Sequence, residues 1–491
     1  MSKVVLFLPT SYPAQDRENV AKLKNHPAIS EIYFLTTDTS NSLELPDRTK
    51  ALNITAFNSS AMVKAMAGKC ESSDFVLLFT KPLLIKFGLF ALDRLIQTAD
   101  QSNAGMVYSD YYMDKKGQIL THPVNDYQEG SLRDDFDFGP VCFFKASIFK
   151  EVVSSMEFDY QYAGLYDLRL RISQESKIFR LPEFLYTVTE SDHRKSGEKI
   201  FDYVDPKNRQ VQIEMEEVCT HHLKRVGAWL KPDFKEPDFN EGDFLLEASV
   251  IIPVKNRVKT VEEAVRSVLS QVTDFNFNII VVDNHSSDGT TELIHQLSNE
   301  YERIVHLIPE TKTLGIGGCW NLAVMNEKCG RFSVQLDSDD LYAGDDTLQK
   351  IVDAFYTQNC AMVVGTYQMV NFNLEEIPPG LIDHKEWTPD NGRNNALRIN
   401  GLGAPRAFLT SILRKIQIPD VSYGEDYAVG LAFSREYQIG RIYDSLYLCR
   451  RWEGNSDAEL DVEKMNRYNF YKDRIRTLEL WKRKWMNNQN Y

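Results

Sequence analysis

Short apolar runs of strand length alternate along this chain with segments whose apolar residues recur every three or four positions. The segment 332–336 has strand length and apolar residues at alternate positions, and Leu348, Ile351 and Phe355 after it would share one helix face. A second apolar run, 360–364, follows. This alternation predicts an α/β fold, in which a mostly parallel sheet carries helices on both faces.

The same order of elements occurs twice along the chain. In the first half the apolar runs 75–79 and 104–108 flank a helical pattern, as 332–336 and 360–364 do in the second half. The correspondence continues in the segments 138–144 and 403–409, Leu165–Asp167 and Gly424–Asp426, Leu185–Tyr186 and Leu446–Tyr447, and 208–229 and 466–485. A repeat of this length predicts two related domains.

The joint between the domains is predicted in the segment 231–238, which is rich in proline and charge and has no regular period. We expect a first domain at 1–235 and a second at 246–491. The C-terminal helix is expected to belong to the second domain.

Composition narrows the class of protein. The chain has 491 residues, 43% of them hydrophobic, and a formal net charge of −14, which suits a globular protein and argues against a nucleic-acid partner. The sequence predicts neither a bilayer-spanning run nor a signal peptide, so we expect a cytoplasmic protein. The seven cysteines are scattered and are expected to be reduced core residues.

Acidic side chains follow the predicted strand 332–336. Asp337 and Asp339 project to the same side of an extended backbone, where a divalent cation can bind between their oxygens. A solvated acidic turn is the alternative. An EF-hand loop fits poorly, because the sequence does not place the glycine and glutamate that such a loop requires.

The ends of the neighbouring strands favour the metal interpretation. Asn256 and Arg257 follow the first predicted strand of the second domain, and Asp283 and Asp288 follow its second strand. A glycine-rich segment, 315–321, leads into a helix. In sheets of this type ligands bind beyond the carboxyl ends of the strands, and a glycine-rich turn lets backbone approach a ligand closely. These features together indicate a site for a nucleoside diphosphate.

These motifs resemble those of the family 2 glycosyltransferases, which have the GT-A fold. The resemblance rests on the segments Val250–Arg257, Val281–Thr290, Gly315–Asn321, Asp337–Asp339 and Gly424–Asp426, which occur in the family's order and span most of residues 248–456. With the repeat, the resemblance implies two GT-A-like, Rossmann-like domains in tandem.

The resemblance also implies a role for each matching residue. Asp283 would contact the base or ribose of a nucleotide-sugar, Asp337 the ribose or sugar of this donor, and Asp339 would hold Mn²⁺ or Mg²⁺ against the diphosphate. Asp426, with Glu425, would be the base that deprotonates an acceptor hydroxyl, although Asp426 also suits a helix N-cap. The other predicted donor-binding residues are Pro253, Asn256, Arg257, Asp288, Gly315, Asn321 and Ser338.

The chain departs from the family pattern in two places. The segment 450–456 contains no histidine where the family often has one near the metal, so Arg450 or Arg451 would face the diphosphate instead. Asn284 stands where the family commonly has a second aspartate. The predicted acceptor-binding residues are His384, Trp387, Arg450, Arg451 and Trp452.

The segment 371–400 is long and polar for a connection, which suggests a loop that faces the acceptor. Within it, Trp387 would either stack on a sugar ring or fix the loop to the core. The C-terminal segment 468–485 combines lysine, arginine and aromatic residues, which would suit an anionic membrane surface or a helix packed on its own domain.

The first domain is predicted to be a degenerate copy. Thr80, Lys81 and Pro82 align with Asp337–Asp339, and the segment 34–39 aligns with the Asp283 motif, whereas Asp167 aligns with Asp426. One interpretation is a silent domain that serves packing, acceptor binding or homodimer formation. The other is a second, metal-independent transferase, in which Lys81 replaces the metal.

The resemblance thus implies an inverting, metal-dependent hexosyltransferase of bacterial polysaccharide or glycan biosynthesis. It would move a sugar from a nucleotide-sugar to a glycan or lipid-linked acceptor, in the cytoplasm or at the inner face of the membrane. The alternatives are a retaining GT-A enzyme, a bifunctional transferase with both domains active, and a scaffold that binds nucleotide-sugars without catalysis.

Overall fold

The chain divides into two units in the computed structural model, which describes residues 2–10, 13–38, 45–189, 208–385, 387–452, 454–455 and 460–489. The first unit comprises Met1–Lys195, Gln210–Trp229 and Leu460–Tyr491. The second comprises Ser196–Arg209 and Leu230–Glu459.

The first unit is built on one mixed sheet with the strand order β3-β2-β1-β4-β8-β6-β9-β5, and β7 pairs with β6. Its strands are β1 (Val4–Pro9), β2 (Ile29–Thr36), β3 (Lys50–Asn53), β4 (Phe75–Phe79), β5 (Ile85–Phe87), β6 (Met106–Lys115), β7 (Gln118–His122), β8 (Val141–Lys145) and β9 (Ile178–Thr189). Its helices are α1 (Pro13–Ala21), a 3-10 turn (Leu23–Asn25), α2 (Ser60–Ala67), α3 (Ala91–Ser102), α4 (Ala146–Ser154), α5 (Gly164–Glu175) and α6 (Arg209–Arg225).

The central strands of this sheet are buried on both faces, which explains why β1 and β4 are continuous apolar runs. In β1, Val4 and Leu6 join one apolar cluster, and Val5 and Phe7 join another. Successive residues of a strand point to opposite faces, so the two clusters lie on opposite sides of the sheet. Helix α3 contributes to the first cluster, and α2 and α4 contribute to the second.

The second unit has a sheet with the order β12-β11-β10-β13-β17-β15-β18-β14, and β16 pairs with β15. Its strands are β10 (Ala248–Val254), β11 (Phe277–Asp283), β12 (Ile304–Leu307), β13 (Phe332–Gln335), β14 (Leu341–Tyr342), β15 (Met362–Val370), β16 (Glu376–Ile382), β17 (Arg406–Leu409) and β18 (Ile439–Arg450). Its helices are α7 (Val261–Leu269), α8 (Thr290–Glu300), α9 (Ile316–Val324), α10 (Thr347–Thr357), α11 (Gly392–Asn395), α12 (Thr410–Ile416) and α13 (Glu425–Glu436).

The two sheets have the same strand order, strand for strand, which confirms the α/β fold class and agrees with the predicted repeat. The parallel share is smaller than predicted. In each sheet an antiparallel strand, β8 or β17, separates the parallel strands on one side from a parallel pair, β6–β9 or β15–β18, on the other.

Strand register corrects the alignment of the candidate base. Met106 pairs with Ile178 and Met362 pairs with Ile439, and the preceding helices α5 and α13 each end three residues before these strand residues. Gly164 and Leu165 are therefore the counterparts of Glu425 and Asp426. The predicted correspondence of Asp167 with Asp426 is wrong. Asp167 lies opposite Ala428, is buried, and pairs with Arg171 at 2.9 Å.

Two further counterparts follow from register. Pro9 pairs with Leu35 and Pro253 pairs with Val282, so Thr36 is the first-unit residue opposite Asp283. Leu77 pairs with Phe143 and Val334 pairs with Ala407. The residues before them, Cys142 and Arg406, are therefore equivalent, one position away from the alignment that the sequence suggests.

The C-terminal helix α14 (Val462–Gln489) belongs to the first unit, whereas the sequence places it in the second domain. Its Asp473 accepts a hydrogen bond from Ser131 at 3.0 Å and lies 3.4 Å from the guanidinium of Arg133. Its Thr477 hydroxyl accepts a hydrogen bond from the Gly130 amide at 2.9 Å. Of the helices in the described part of the chain, none is both long and apolar enough to cross a membrane.

A substitution at Gly130 tests how α14 docks. A Cβ atom there would lie 2.2 Å from the Thr477 amide nitrogen and 2.4 Å from the Asp473 carbonyl oxygen, both backbone atoms. Gly130→Ala should therefore reduce the free energy of unfolding by about 1–3 kcal/mol in urea titration. Gly68→Ala is the matched control, because its Cβ would make only ordinary contacts at 3.6 Å and beyond. Equal stabilities of the two variants would show that α14 does not pack in this way.

Candidate active site

The strand ends of the second sheet meet at one edge. Strand β10 pairs in parallel with β11 on one side and with β13 on the other. The carboxyl ends of all three strands therefore face the same way, and they bring Lys255–Arg257, Asp283 and Asp337–Asp340 to a common edge. This is the edge at which the sequence predicts the donor site.

Asp339 lies at the centre of a group of donors. Its Oδ2 accepts hydrogen bonds from Asn455 Nδ2 at 3.1 Å and Trp452 Nε1 at 3.3 Å, and it lies 3.7 Å from Arg257 Nε. The sequence predicts Arg257 as a donor-binding residue and Trp452 as an acceptor-binding residue, and the structure brings both to Asp339. Asn455 is a residue that the sequence analysis missed, although it lies in the segment searched for a histidine.

Arg450 links the end of β18 to the residues that follow β13 by hydrogen bonds. Its amide nitrogen donates to Asp340 at 2.8 Å, and its guanidinium donates to the Asp339 carbonyl, pairs with Glu263 and lies 5.2 Å from the centre of the Phe372 ring. It is 1% exposed, so these contacts are structural and do not present its charge at the surface. Burial, and then the nearby Asp337 and Asp339, raise the pKa of Asp340 well above its ordinary value.

Neighbouring residues of the segments 450–452 and 337–340 are fixed by hydrogen bonds or burial. The amide of Arg451 donates to the Val370 carbonyl at 2.8 Å. Asp337 donates its amide to the Tyr447 hydroxyl at 3.0 Å, and its Oδ1 accepts from Gln335 Nε2 at 3.0 Å. Ser338 between the two aspartates is buried. The acidic segment is therefore a fixed turn at the end of a strand.

A cation that the sequence analysis missed stands beside the candidate base. Helix α13 starts at Glu425, after Gly424 with a φ of 85°. Asp426 Oδ1 accepts from the Tyr427 amide at 2.7 Å, and its Oδ2 lies 2.8 Å from Arg406 Nη1. Asp426 thus makes a hydrogen bond at the helix start and an ion pair at once.

Arg406 lies between the two acidic groups of the site, because its guanidinium pairs with Asp426 and its amide donates at 3.2 Å to Gln335, which in turn donates to Asp337. Burial alone would lower the pKa of its guanidinium, but Asp426, Asp337 and Glu425 raise it overall. The signal in the sequence was a single arginine at the start of the otherwise apolar strand 406–409. A charge is retained in such a position only when carboxylates compensate it.

Asp283 is fully buried at the end of β11. Its Oδ1 accepts from the Ser286 amide at 3.0 Å, and its Oδ2 accepts from the Thr291 hydroxyl and lies 3.7 Å from His306 Nε2. Burial would raise the pKa of Asp283, but the nearby His306 imidazole and the hydrogen bonds from Ser286 and Thr291 lower it far below its ordinary value. Its neighbour Asn284 has a buried Oδ1 that has no hydrogen-bond partner within the described residues, an acceptor with unused hydrogen-bonding capacity.

The loops after β10 and β11 hold each other. Asn256, with a φ of 55°, accepts from the Ser287 amide at 2.8 Å through its side chain. Asp288 caps α8 by accepting from the Thr290 amide at 3.1 Å, and it also accepts from the Val258 amide at 3.2 Å. Pro253 lies within β10 and pairs with Val282. These predicted donor-binding residues therefore shape the edge of the site.

The glycine-rich segment packs on protein backbone. A Cβ atom at Gly315 would lie 2.7 Å from the backbone of Val421, and one at Gly317 would lie 1.8 Å from the Pro419 carbonyl oxygen. Asn321 exchanges two hydrogen bonds with Ile418, at 2.7 and 2.9 Å. Gly315 and Asn321 therefore position the segment 418–421 that leads to Asp426, and a direct contact of either with a donor stays a prediction.

The predicted acceptor loop is more ordered than expected. Strand β16 and helix α11 both lie within 371–400. Trp387 is 4% exposed and packs against Gly392, which agrees with the interpretation that it fixes the loop to the core. His384 is 3% exposed. Neither side chain is exposed in this structure, and a role of either in binding an acceptor stays a prediction.

The carboxylates fit a metal that takes most of its ligands from a substrate. Within the described residues, no group of three or more His, Cys, Asp and Glu side chains converges as a metal site. Mg²⁺ commonly binds one or two carboxylates and completes its shell with phosphate oxygens and water. Asp339, with Asp337 two residues before it, supplies such oxygens.

Comparison with known proteins decides the family. The model of glycosyl transferase family 2 matches residues 249–415. TuaG of Bacillus subtilis, a glycosyltransferase named for teichuronic acid biosynthesis, is 32% identical over 189 residues, which are 38% of this chain and 72% of TuaG. The chain belongs to glycosyltransferase family 2.

Other similarities of this family 2 chain are partial. A poly(ribitol-phosphate) beta-glucosyltransferase of Bacillus spizizenii is 25% identical over 48% of this chain and 37% of its own length. The chain therefore spans little more than a third of that relative. The structure of S. aureus TarS 1-349 in complex with UDP-GlcNAc aligns with a TM-score of 0.39 and 24% identity, over 48% of this chain and 66% of TarS 1-349.

The family 2 match lies in the second unit and includes Asp283, Asp339 and Arg406. At the equivalent edge of the first unit, the Thr80 amide donates to the Pro140 carbonyl at 2.9 Å, and Lys81 is exposed. That unit has a different polar pair there, His122 and Asp137 at 2.9 Å. Burial opposes ionisation of Asp137, but His122 and the Gly139 amide lower its pKa to about 2.

Asp420 provides a test of how the site is assembled. Its Oδ1 accepts from the amides of Gly315 at 2.7 Å and Gly318 at 3.0 Å, and so supplies the cap that a glycine at the start of α9 lacks. Asp420→Ala should lower the free energy of unfolding by about 1 kcal/mol in urea titration. Asp274→Ala removes another exposed carboxylate of the second unit and should have almost no effect. Two equally stable variants would show that Asp420 does not cap α9.

Proposed function

We propose that the second unit is a metal-dependent, inverting glycosyltransferase that moves a sugar from a nucleotide-sugar to a hydroxyl of a glycan or lipid-linked acceptor. The observation that carries the proposal is that Arg406 pairs with Asp426 at 2.8 Å, while its amide is joined through the Gln335 side chain, at 3.2 and 3.0 Å, to Asp337 at the strand end. The departing diphosphate gains negative charge, which a cation stabilises, and the attacking hydroxyl loses a proton, which a carboxylate accepts. This edge has groups for both.

Asp339 is the residue that would hold Mn²⁺ or Mg²⁺, with Asp337 beside it. When bound, the cation neutralises the charge that develops on the departing diphosphate. Arg257, 3.7 Å from Asp339, adds positive charge on the same side. Asn284 Oδ1 and the fixed loops after β10 and β11 offer contacts for the nucleoside.

Asp426 is the proposed base. Its ion pair with Arg406 at 2.8 Å orients the carboxylate, which can accept a proton from the acceptor hydroxyl. As the acceptor oxygen bonds to the anomeric carbon, the bond to the diphosphate breaks, and the proton passes to Asp426. Attack from the side opposite the leaving group inverts the anomeric configuration. A retaining reaction is the alternative, and the anomeric configuration of the product distinguishes the two.

The first unit is proposed to be catalytically silent. Every acidic position of the proposed machinery is replaced there: Thr80 and Pro82 stand opposite Asp337 and Asp339, and Gly164 and Leu165 stand opposite Glu425 and Asp426. Cys142 stands opposite Arg406. These replacements count against a bifunctional enzyme, and the intact set in the second unit counts against a scaffold without catalysis.

The names of two relatives support a bacterial polymer as acceptor. One is named for glucosyl transfer to poly(ribitol-phosphate) and the other for teichuronic acid biosynthesis. We propose that this chain likewise acts in bacterial polysaccharide or glycan biosynthesis. The sugar and the nucleotide are to be identified by screening nucleotide-sugars for Mn²⁺-dependent release of a nucleoside diphosphate.

Two isosteric substitutions test the proposed roles. With the donor found in that screen, Asp339→Asn and Asp426→Asn should each reduce turnover by roughly 10²–10⁴-fold, because each removes a charge that the reaction uses. Asp345→Asn is the control, since Asp345 is an exposed carboxylate of the same unit. Turnover at the wild-type rate in Asp339→Asn or Asp426→Asn, with unchanged thermal unfolding, would refute the assignment.

Arg406 is tested by a graded pair of variants. Arg406→Met removes the charge beside Asp426 and should lower kcat by about tenfold or more, with a smaller change in the KM for the donor. Arg406→Lys keeps the charge and should restore part of the loss. If Arg406→Met retained the wild-type kcat, Arg406 would have only a structural role. Equal kcat values for the two variants would show that the charge is not what matters.

A further inference from the structure

Helix α14 reverses the usual pattern of a surface helix. Of its 28 residues, those that are buried are mostly polar or charged: Lys472, Asp473, Arg476, Thr477, Glu479, Leu480 and Arg483. Buried acids are matched by buried bases, because Asp473 pairs with Arg476 at 2.8 Å and Glu479 pairs with Arg483 at 2.7 Å. An ordinary amphipathic helix buries its apolar face instead.

The exposed face of α14 is apolar and aromatic. Phe470 is 36% exposed, Leu478 55%, Trp481 50% and Trp485 54%. At about 100° per residue these side chains lie within one arc of roughly 80°, opposite the buried charges. Exposed tryptophan is costly in water, so a continuous stripe of this kind indicates a surface that is covered by something else.

The same face carries more positive than negative charge, because its one exposed acid, Glu463, stands against three exposed cations. Arg467, Arg474 and Lys482 are exposed and fall within or beside the stripe, and Lys482 lies 4.2 Å from the centre of the Trp485 ring. The two acids that follow Phe470 in this helix, Asp473 and Glu479, are buried and paired. The nearby Glu129 accepts from Trp481 Nε1 at 2.8 Å and pairs with Lys484, so its charge is balanced.

We propose that this outer face of α14, formed by Arg467, Phe470, Arg474, Leu478, Trp481, Lys482 and Trp485, docks onto the surface of an anionic lipid bilayer. Tryptophan and leucine suit the boundary between headgroups and acyl chains, and the cations attract lipid phosphates. A second copy of the chain is a poorer occupant, because pairing two such faces would bring like charges together. Helix α14 lies on the bilayer, since only one of its faces is apolar.

The inference is independent of the proposed catalysis, and its test requires no substrate. The full chain is sedimented with vesicles of phosphatidylcholine mixed with phosphatidylglycerol, and with vesicles of phosphatidylcholine alone. We expect binding to the mixed vesicles that weakens as salt is raised. The double variants Leu478→Ser/Trp485→Ser and Arg474→Glu/Lys482→Glu should each reduce the vesicle partition coefficient by about tenfold or more.

Matched controls place the same chemical changes elsewhere. Leu245→Ser/Val272→Ser removes two apolar side chains that are 91% and 68% exposed, and Lys69→Glu/Lys259→Glu reverses two exposed charges. Both controls should bind as the wild type does. The proposal is overturned if the wild type does not bind the mixed vesicles, if it binds neutral vesicles equally well, or if the controls lose as much binding as the α14 variants. It is also overturned if light scattering shows a dimer that Leu478→Ser/Trp485→Ser dissociates.

Discussion

The parallel pairing of β10 with β11 and β13 is the constraint on which the candidate site depends. It sets three strand ends at one edge, and it fixes the distance between them by backbone hydrogen bonds that leave the side chains free for other uses. Asp283, Asp337 and Asp339 reach the same edge for that reason. Strand β17 then runs antiparallel to β13 and delivers Arg406, which in turn meets Asp426 at the start of α13.

The first unit keeps the same pairings without the same chemistry. Its strands β1, β2 and β4 have the register of β10, β11 and β13, and both faces of its sheet are packed with apolar residues. Packing constrains the strand bodies, because each side chain there is buried. It does not constrain the residues just beyond the strand ends. Thr80 and Pro82 can replace two aspartates without destabilising the sheet. The two units therefore share one fold but have different residues at the equivalent edge.

The sequence was sufficient for the features that follow from local patterns. Alternating apolar runs predicted the α/β class, and the repeat predicted the matching strand orders. The spacing of Asp337 and Asp339 placed them correctly at a strand end. What failed depended on contacts distant in sequence. Asp167 appeared to match Asp426 because each is an aspartate near the start of the corresponding helix, and only strand register shows that Asp167 lies two residues further along the helix. Arg406 and Asn455 gave no motif, since each reaches its acidic partner through tertiary packing.

The prediction that α14 belongs to the second domain was wrong for the same reason. This helix buries Asp473 and Arg476 and exposes Trp481. A prediction that assumes buried apolar residues therefore assigns the wrong face of the helix to the interior. Its partners Ser131 and Arg133 lie more than three hundred residues earlier in the chain, so no local signal could assign it to the first unit.

The central claim is that one of the two related edges carries the chemistry, and the location of a bound metal tests it most directly. Crystals of the full chain grown with Mn²⁺ and a nucleoside diphosphate would be measured by anomalous diffraction at the manganese edge. The account predicts one manganese peak per chain within coordination distance of Asp339, with the diphosphate beside it, and none at Thr80–Pro82. A peak at the edge of the first unit, or a diphosphate bound there with none at Asp339, would contradict it.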